Sequence, residues 1–173
     1  MYADILVLSN LVHRPSYGYE IKKRVQSILG QDSALNNNHL YPALRRFEEM
    51  GAVEKEVEPQ EGKPDRHVYR ATDLGREILR KLLREFTPQM ALNGAEFQVR
   101  VAFFGSLEPE DRLRILGARE KVLRRRLEHL LSVTPDAQGS VQHPYATQVV
   151  EFQKGQIQHE LEWIGELTAQ ENG

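Results

Sequence analysis

Asn36-Asn37-Asn38-His39-Leu40-Tyr41-Pro42-Ala43-Leu44-Arg45-Arg46-Phe47-Glu48-Glu49-Met50-Gly51, followed at once by Ala52-Val53-Glu54-Lys55-Glu56-Val57-Glu58, is the stretch that decides the fold. The asparagines supply a helix N-cap and Gly51 supplies the stop. With Leu40 set at zero and about 100 degrees per residue, Ala43, Leu44 and Phe47 fall within about 60 degrees of it, a core stripe. Asn38, Pro42, Arg45 and Glu49 lie opposite, with Tyr41 and Arg46 on the shoulders. The period then changes. Val53, Lys55 and Val57 alternate with Glu54, Glu56 and Glu58, the mark of a strand with one polar face. Pro59 to Asp65 is turn chemistry, and Arg66 to Ala71 reads as the returning strand.

Two helices precede this stretch and one follows it. Asp4 is placed to cap an apolar helix from Ile5 to Val12, closed by Pro15. Ser16 is placed to cap a second, Tyr17 to Leu29, with Tyr17, Ile21, Val25 and Ile28 at helical spacing and Gly30 as its stop. Thr72 or Asp73 starts a fourth helix that ends near Phe86. Helix, helix, helix, hairpin, helix is the order of a winged helix-turn-helix. The fold class expected is mostly α with a small β-hairpin wing: a winged helix-turn-helix domain over 1–86, then an α-helical dimerisation domain over 87–173.

In a helix-turn-helix the third helix enters the major groove by its N-terminal end, where Asn pairs with adenine and Arg with guanine. The candidate DNA contacts are therefore Asn36, Asn37, Asn38, His39, Tyr41, Pro42, Arg45 and Arg46. Lys63 and Arg66 at the wing tip suit flanking phosphates. Lys22 on the second helix, with Tyr17 at its start, is placed where that helix crosses the DNA backbone. The partners expected are double-stranded operator DNA and a second copy of the chain, with a small aromatic or hydrophobic effector as a further class.

In the second half Leu116, Leu123 and Leu130 repeat every seven residues with Leu127 between, and Val150, Ile157 and Ile164 repeat likewise with Leu161 between. Such spacing favours packing against another long helix, and these eight are the expected dimer seam. Phe97, Phe103, Phe104, Phe152 and Trp163 suit core, interface or pocket. Arg124-Arg125-Arg126 reads as solvated or paired with acids of the final helix.

Whole-chain chemistry narrows the classes. There is no cysteine among 173 residues, which excludes disulfides and thiolate sites. The six histidines lack metal-binding spacing, and no phosphate loop or nucleophile elbow is present, so neither a metal, a cofactor nor an enzyme is expected. The run Ile5–Leu8 is far below the roughly 20 apolar residues of a membrane span, and no secretory signal opens the chain, so a cytoplasmic protein is expected. Net charge is −2; residues 1–86 hold 14 Lys+Arg against 13 Asp+Glu. DNA binding must then rest on where cations point. That weak charge favours the competing reading, a winged-helix protein-interaction module without DNA binding.

Tyr17-Gly18-Tyr19-Glu20-Ile21-Lys22-Lys23, Leu40 to Gly51, Gly62-Lys63-Pro64 and Tyr69-Arg70-Ala71-Thr72-Asp73-Leu74-Gly75-Arg76-Glu77 stand in order, and together they resemble the PadR-like transcriptional regulators. The resemblance covers roughly residues 4–86. It implies a winged-helix repressor that dimerises through C-terminal helices and is often released from DNA by a small ligand, with Tyr41 and its neighbours facing DNA and Lys63 as the wing cation. Asn-Asn-Asn-His before Leu40 departs from the small or hydroxyl residues common there, and Asp65 and His67 sit where the wing is often more basic.

Overall fold

Ile5, Leu6, Val7, Leu8 and Leu11 are each no more than 2% exposed, so the first helix is buried on every side. A helix of that kind belongs in the middle of a core. In the computed structural model, which describes residues 2–30, 35–62, 65–132 and 144–173, that is where it lies. The elements run α1 (Ala3–His13), β1 (Ser16–Tyr17), α2 (Gly18–Leu29), α3 (Asn37–Glu49), β2 (Val53–Glu58), β3 (Arg66–Ala71), α4 (Asp73–Arg84), α5 (Pro88–Ala91), α6 (Gly94–Ala102), a 3-10 turn (Phe104–Ser106), α7 (Pro109–Ser132) and α8 (Pro144–Asn172). Contacts divide them into two units, residues 1–86 with 94–108, and residues 87–93 with 109–173.

In the first unit α2, α3, α4, α6 and β3 pack around α1. Asp4 lies in the first turn of α1, and the cap position belongs to Tyr2. The sheet is antiparallel in the order β1-β3-β2, with Val53 opposite Ala71 and Glu58 opposite Arg66. Only Val53 of β2 is buried, and Val57 is exposed, because the hairpin projects beyond the helices that could cover it. The strand Ser16–Tyr17 replaces the expected cap at Ser16. Its hydroxyl instead donates to the Arg14 carbonyl and accepts from Arg24. Two residues are too few to show a period.

The junction of α3, the wing and α4 is tied by one residue. Thr72 accepts from the Gly75 amide as N-cap, donates its hydroxyl to the Gly51 carbonyl at 2.8 Å, and donates its amide to the Ala52 carbonyl. Gly75 is glycine because a Cβ there would collide with the Ala52 carbonyl oxygen. Residues 94–108, which the sequence places after the head, pack with the first unit. Arg100, 2% exposed, donates to the Glu85 carbonyl beyond the last turn of α4 and to the Glu96 carboxylate, with its guanidinium over the Phe86 ring. A cation at a helix C-terminus is favourable there.

In the second unit Thr87 caps α5, a helix too short for sequence periodicity to reveal. α7 and α8 pair antiparallel through Arg119–Glu160 and Arg112–Glu171. Leu116, Leu123, Ile157 and Ile164 are buried, and Leu127, Leu130, Val150 and Leu161 half-buried, within the single chain. A heptad repeat specifies a helical partner without saying which chain supplies it. Here the four deepest residues of the expected subunit seam are used inside one chain. Arg124 pairs with Glu120 of its own helix, not with the final one. Among the described residues, no helix is long and apolar enough to cross a membrane.

Candidate nucleic-acid interface

α3 divides as its sequence dictates. Leu40, Ala43, Leu44 and Phe47 are buried, while Asn36, Asn37, Asn38, His39, Tyr41, Pro42, Arg45 and Arg46 are all exposed on the other side. Pro42 sits within the helix, and lacking an N–H it leaves the Asn38 carbonyl without its usual helical donor. The outer face thus presents an extra acceptor beside its amides and cations.

These groups are not equally available. Asn36 occupies the N-cap position, yet its side chain meets the His39 ring, Oδ1 to Nδ1 at 3.0 Å. Lys22 Nζ of α2 lies 3.5 Å from Asn37 Oδ1, which ties the two helices at the end that would enter a groove. Arg46 donates to Asp4 at 2.6 Å and lies over the Phe47 ring. Its guanidinium is committed to α1, which places it at the edge of the face. Arg45 and Asn38 carry no side-chain partner among the described residues.

A second cluster joins α3 to the wing. Tyr41 packs on Gly18, where a Cβ would lie 3.0 Å from its ring, so glycine lets the phenol lie flat against the start of α2. Tyr17 and Tyr19 stack with centroids 5.6 Å apart, and Arg66 lies over Tyr17. With His67 and Asp65 they line a small cavity of about 200 Å³. The Tyr17 hydroxyl donates to Glu58 at 2.7 Å. That carboxylate holds the phenol's pKa above its ordinary 10.0. Burial raises that of Tyr69, beneath them. Tyr17 therefore fastens the wing to the head, and its hydroxyl is already engaged. Lys63 lies outside the described residues.

Sequence reasoning missed Tyr19 and Glu58. Tyr19 is 57% exposed on this side. Its spacing from Tyr17 signals nothing for a helix, and it gains meaning only once Ser16–Tyr17 is a strand. Glu58 reads as one more acid of a polar strand face until pairing with Arg66 brings it beside Tyr17.

Against known proteins, residues 7–81 match the Transcriptional regulator PadR-like family. A Mycobacterium tuberculosis protein described as probable transcriptional regulator Rv1176c is 30% identical over 79 residues, 46% of this chain and 42% of that protein. The chain thus spans less than half the length of that relative. Among solved structures, Bacillus subtilis PadR in complex with operator DNA is similar over 99% of both chains, at 19% identity and a TM-score of 0.49. A PadR family transcription regulator from Clostridium difficile R20291 is 31% identical over 46% of this chain and 80% of its own, at a TM-score of 0.39. The matched segment runs from within α1 into α4 and carries the whole α3 face and the wing. Residues 7–81 of the chain thus belong to the PadR-like family of transcriptional regulators.

Proposed function

We propose that the chain is a repressor that binds double-stranded operator DNA as a homodimer, in the cytoplasm, and is released by a small molecule. The observation that carries the DNA reading is the outer face of α3, where Asn38 and Arg45 stand exposed and without side-chain partners among the described residues, while Arg46 is held aside by Asp4. An amide and a guanidinium so placed suit adenine and guanine edges in the major groove. Lys22, Arg66 and Lys63 would meet flanking phosphates, which set position and not sequence.

The dimer reading is supported by α8. Tyr145, Val149 and Phe152 are 74%, 53% and 65% exposed. At about 100 degrees per residue they form one stripe, turned well away from Ile157 and Ile164. Apolar surface left bare on a helix already packed on its other side is suited to a second chain. A two-fold pair would place two α3 helices at half-sites roughly 34 Å apart or a multiple of it.

Selection of bound fragments from genomic DNA, followed by anisotropy titrations at several salt concentrations, tests the reading. Affinity should fall steeply as salt rises. Arg45→Ala should erode discrimination between sequences, and Lys63→Ala should weaken binding to all of them alike. Selection of no sequence, or binding indifferent to salt, would favour the interaction module instead.

A further inference from the structure

Tyr41 and Arg46 stand on opposite shoulders of α3, either side of the line through Asn38, Pro42 and Arg45. A helix laid in the major groove with that line on the base edges turns its shoulders to the groove walls, which are sugar–phosphate backbone. The two shoulders differ. Arg46 is already held by Asp4. The other shoulder borders the cavity of about 200 Å³ between α3, the start of α2 and the wing, which Tyr19, Tyr41 and Arg66 help to line. Tyr41 packs on Gly18, the chain neighbour of Tyr19, so the two phenols share one wall. They are 57% and 47% exposed for Tyr19 and Tyr41, and neither hydroxyl has a hydrogen-bond partner among the described residues, whereas that of Tyr17 is taken by Glu58. Arg66 rests over the Tyr17 ring and forms no ion pair among the described residues.

Sites for free small molecules span about 300–1,000 Å³, so this cavity suits one group of a larger ligand. Its uncommitted groups are two phenol O–H donors and a guanidinium. A phosphate offers charge and acceptors only, and guanidinium forks match its paired oxygens. A base edge mixes donors with acceptors and brings no charge for Arg66 to meet. Asp65, exposed, is the acid among the lining residues and opposes an anion there. We infer that this cavity seats a single phosphate of the operator backbone, held by the Tyr19 and Tyr41 hydroxyls and by Arg66. Tyr19 is then a positioning contact, and Tyr41 meets the groove wall and not a base. The seat rests on the DNA reading proposed above, and adds to it which backbone contact fixes the distance between α3 and the wing.

Replacing one phosphate at a time by an uncharged methylphosphonate along the selected operator, and titrating each duplex with the full chain, tests it. On the unmodified operator Tyr19→Phe, which keeps the ring and its stack on Tyr17, should weaken binding by about tenfold. At one phosphate per half-site the methylphosphonate should weaken the wild type by at least as much, and there Tyr19→Phe should cost nothing further; at every other phosphate it should cost its full share. Tyr41→Phe should weaken binding to all single-base operator variants alike and leave their ranking unchanged. Asp65→Asn should strengthen binding by about threefold. A Tyr19→Phe loss that persists on every duplex, or an Asp65→Asn protein that binds more weakly, overturns the seat. Tyr41→Phe that erases preference at one base pair overturns it too, since Tyr41 would then read a base. Wild-type binding to the unmodified operator separates the two claims: its absence, or its indifference to salt, sinks the DNA reading and the seat with it. Steeply salt-dependent binding with no phosphate coupled to Tyr19 sinks the seat alone.

Discussion

α3 and α8 both leave one face bare, and the two faces differ in kind. α3 shows water Asn38, Tyr41 and Arg45; α8 shows Tyr145, Val149 and Phe152. Polar groups with fixed geometry gain little from covering unless the partner has matching donors and acceptors, whereas an apolar stripe gains from any dry surface of the right shape. One chain thus carries a face suited to base edges and another suited to protein. The buried sides of the same helices reverse the contrast. α3 is held by leucines and a phenylalanine, while α8 is held partly by guanidinium–carboxylate pairs.

The largest effect expected from breaking this arrangement lies at Arg119. It is 6% exposed, pairs with Glu160 and donates to the Ala91 carbonyl. Arg119→Ala would leave a carboxylate and a carbonyl without their partner, and removing one member of such a pair costs about 3–5 kcal/mol. Urea unfolding of the variant should show that loss; a change near zero would mean that the Arg119–Glu160 pair adds nothing to the hold of α7 on α8. Phe152→Glu should do the reverse. Its side chain is in water in the single chain, so monomer stability should move by no more than about 0.5 kcal/mol. Dimer dissociation, followed by sedimentation, should rise by about 2 kcal/mol or more if the stripe is a hot spot. A variant that sediments like the wild type would remove α8 from the interface.

How much of this was legible follows the same contrast. The α3 division could be read residue by residue, because a single helix period against a single core fixes inside and outside. The α8 reading went to the wrong neighbour: Ile157 and Ile164 were expected against a second chain and lie buried in the first. Periodicity gives the angle of each apolar stripe, but not which chain supplies the surface that covers it. The wing was legible as a hairpin, but its third strand and the Tyr17–Glu58 bond were not, since they join residues far apart in sequence through two residues of strand. The period places Arg46 on a shoulder of α3 beside Arg45, but its pairing is illegible for a similar reason, its partner Asp4 lying on another helix.

That adjacent pair sharpens the α3 side. Arg45→Ala should cost about 1–3 kcal/mol of discrimination at one operator position. Arg46→Ala should cost less in discrimination, and its exposed pair with Asp4 is worth at most about 1 kcal/mol of stability. Competition assays across single-base operator variants compare the two. Equal losses would mean that Arg46 leaves Asp4 when DNA arrives, and the face would then be wider than the free chain shows.

The smallest effect expected concerns the link between that face and the wing. Glu58 raises the pKa of the Tyr17 phenol above 10.0, with desolvation adding to it and Arg66 opposing. A pKa raised on folding means that the bond contributes throughout the neutral range and is lost only as pH climbs through the folded value, above 10.0. Tyr17→Phe removes the same bond at every pH. Amide exchange in β2 and β3 should therefore be faster in Tyr17→Phe at neutral pH and should converge with the wild type at alkaline pH, with helix content unchanged. Operator affinity should fall only a few-fold, since the bond aims the wing and touches no base. Wing exchange identical in the two proteins at neutral pH would mean that strand pairing alone positions the hairpin, and the phenol would then be free to meet the DNA backbone directly.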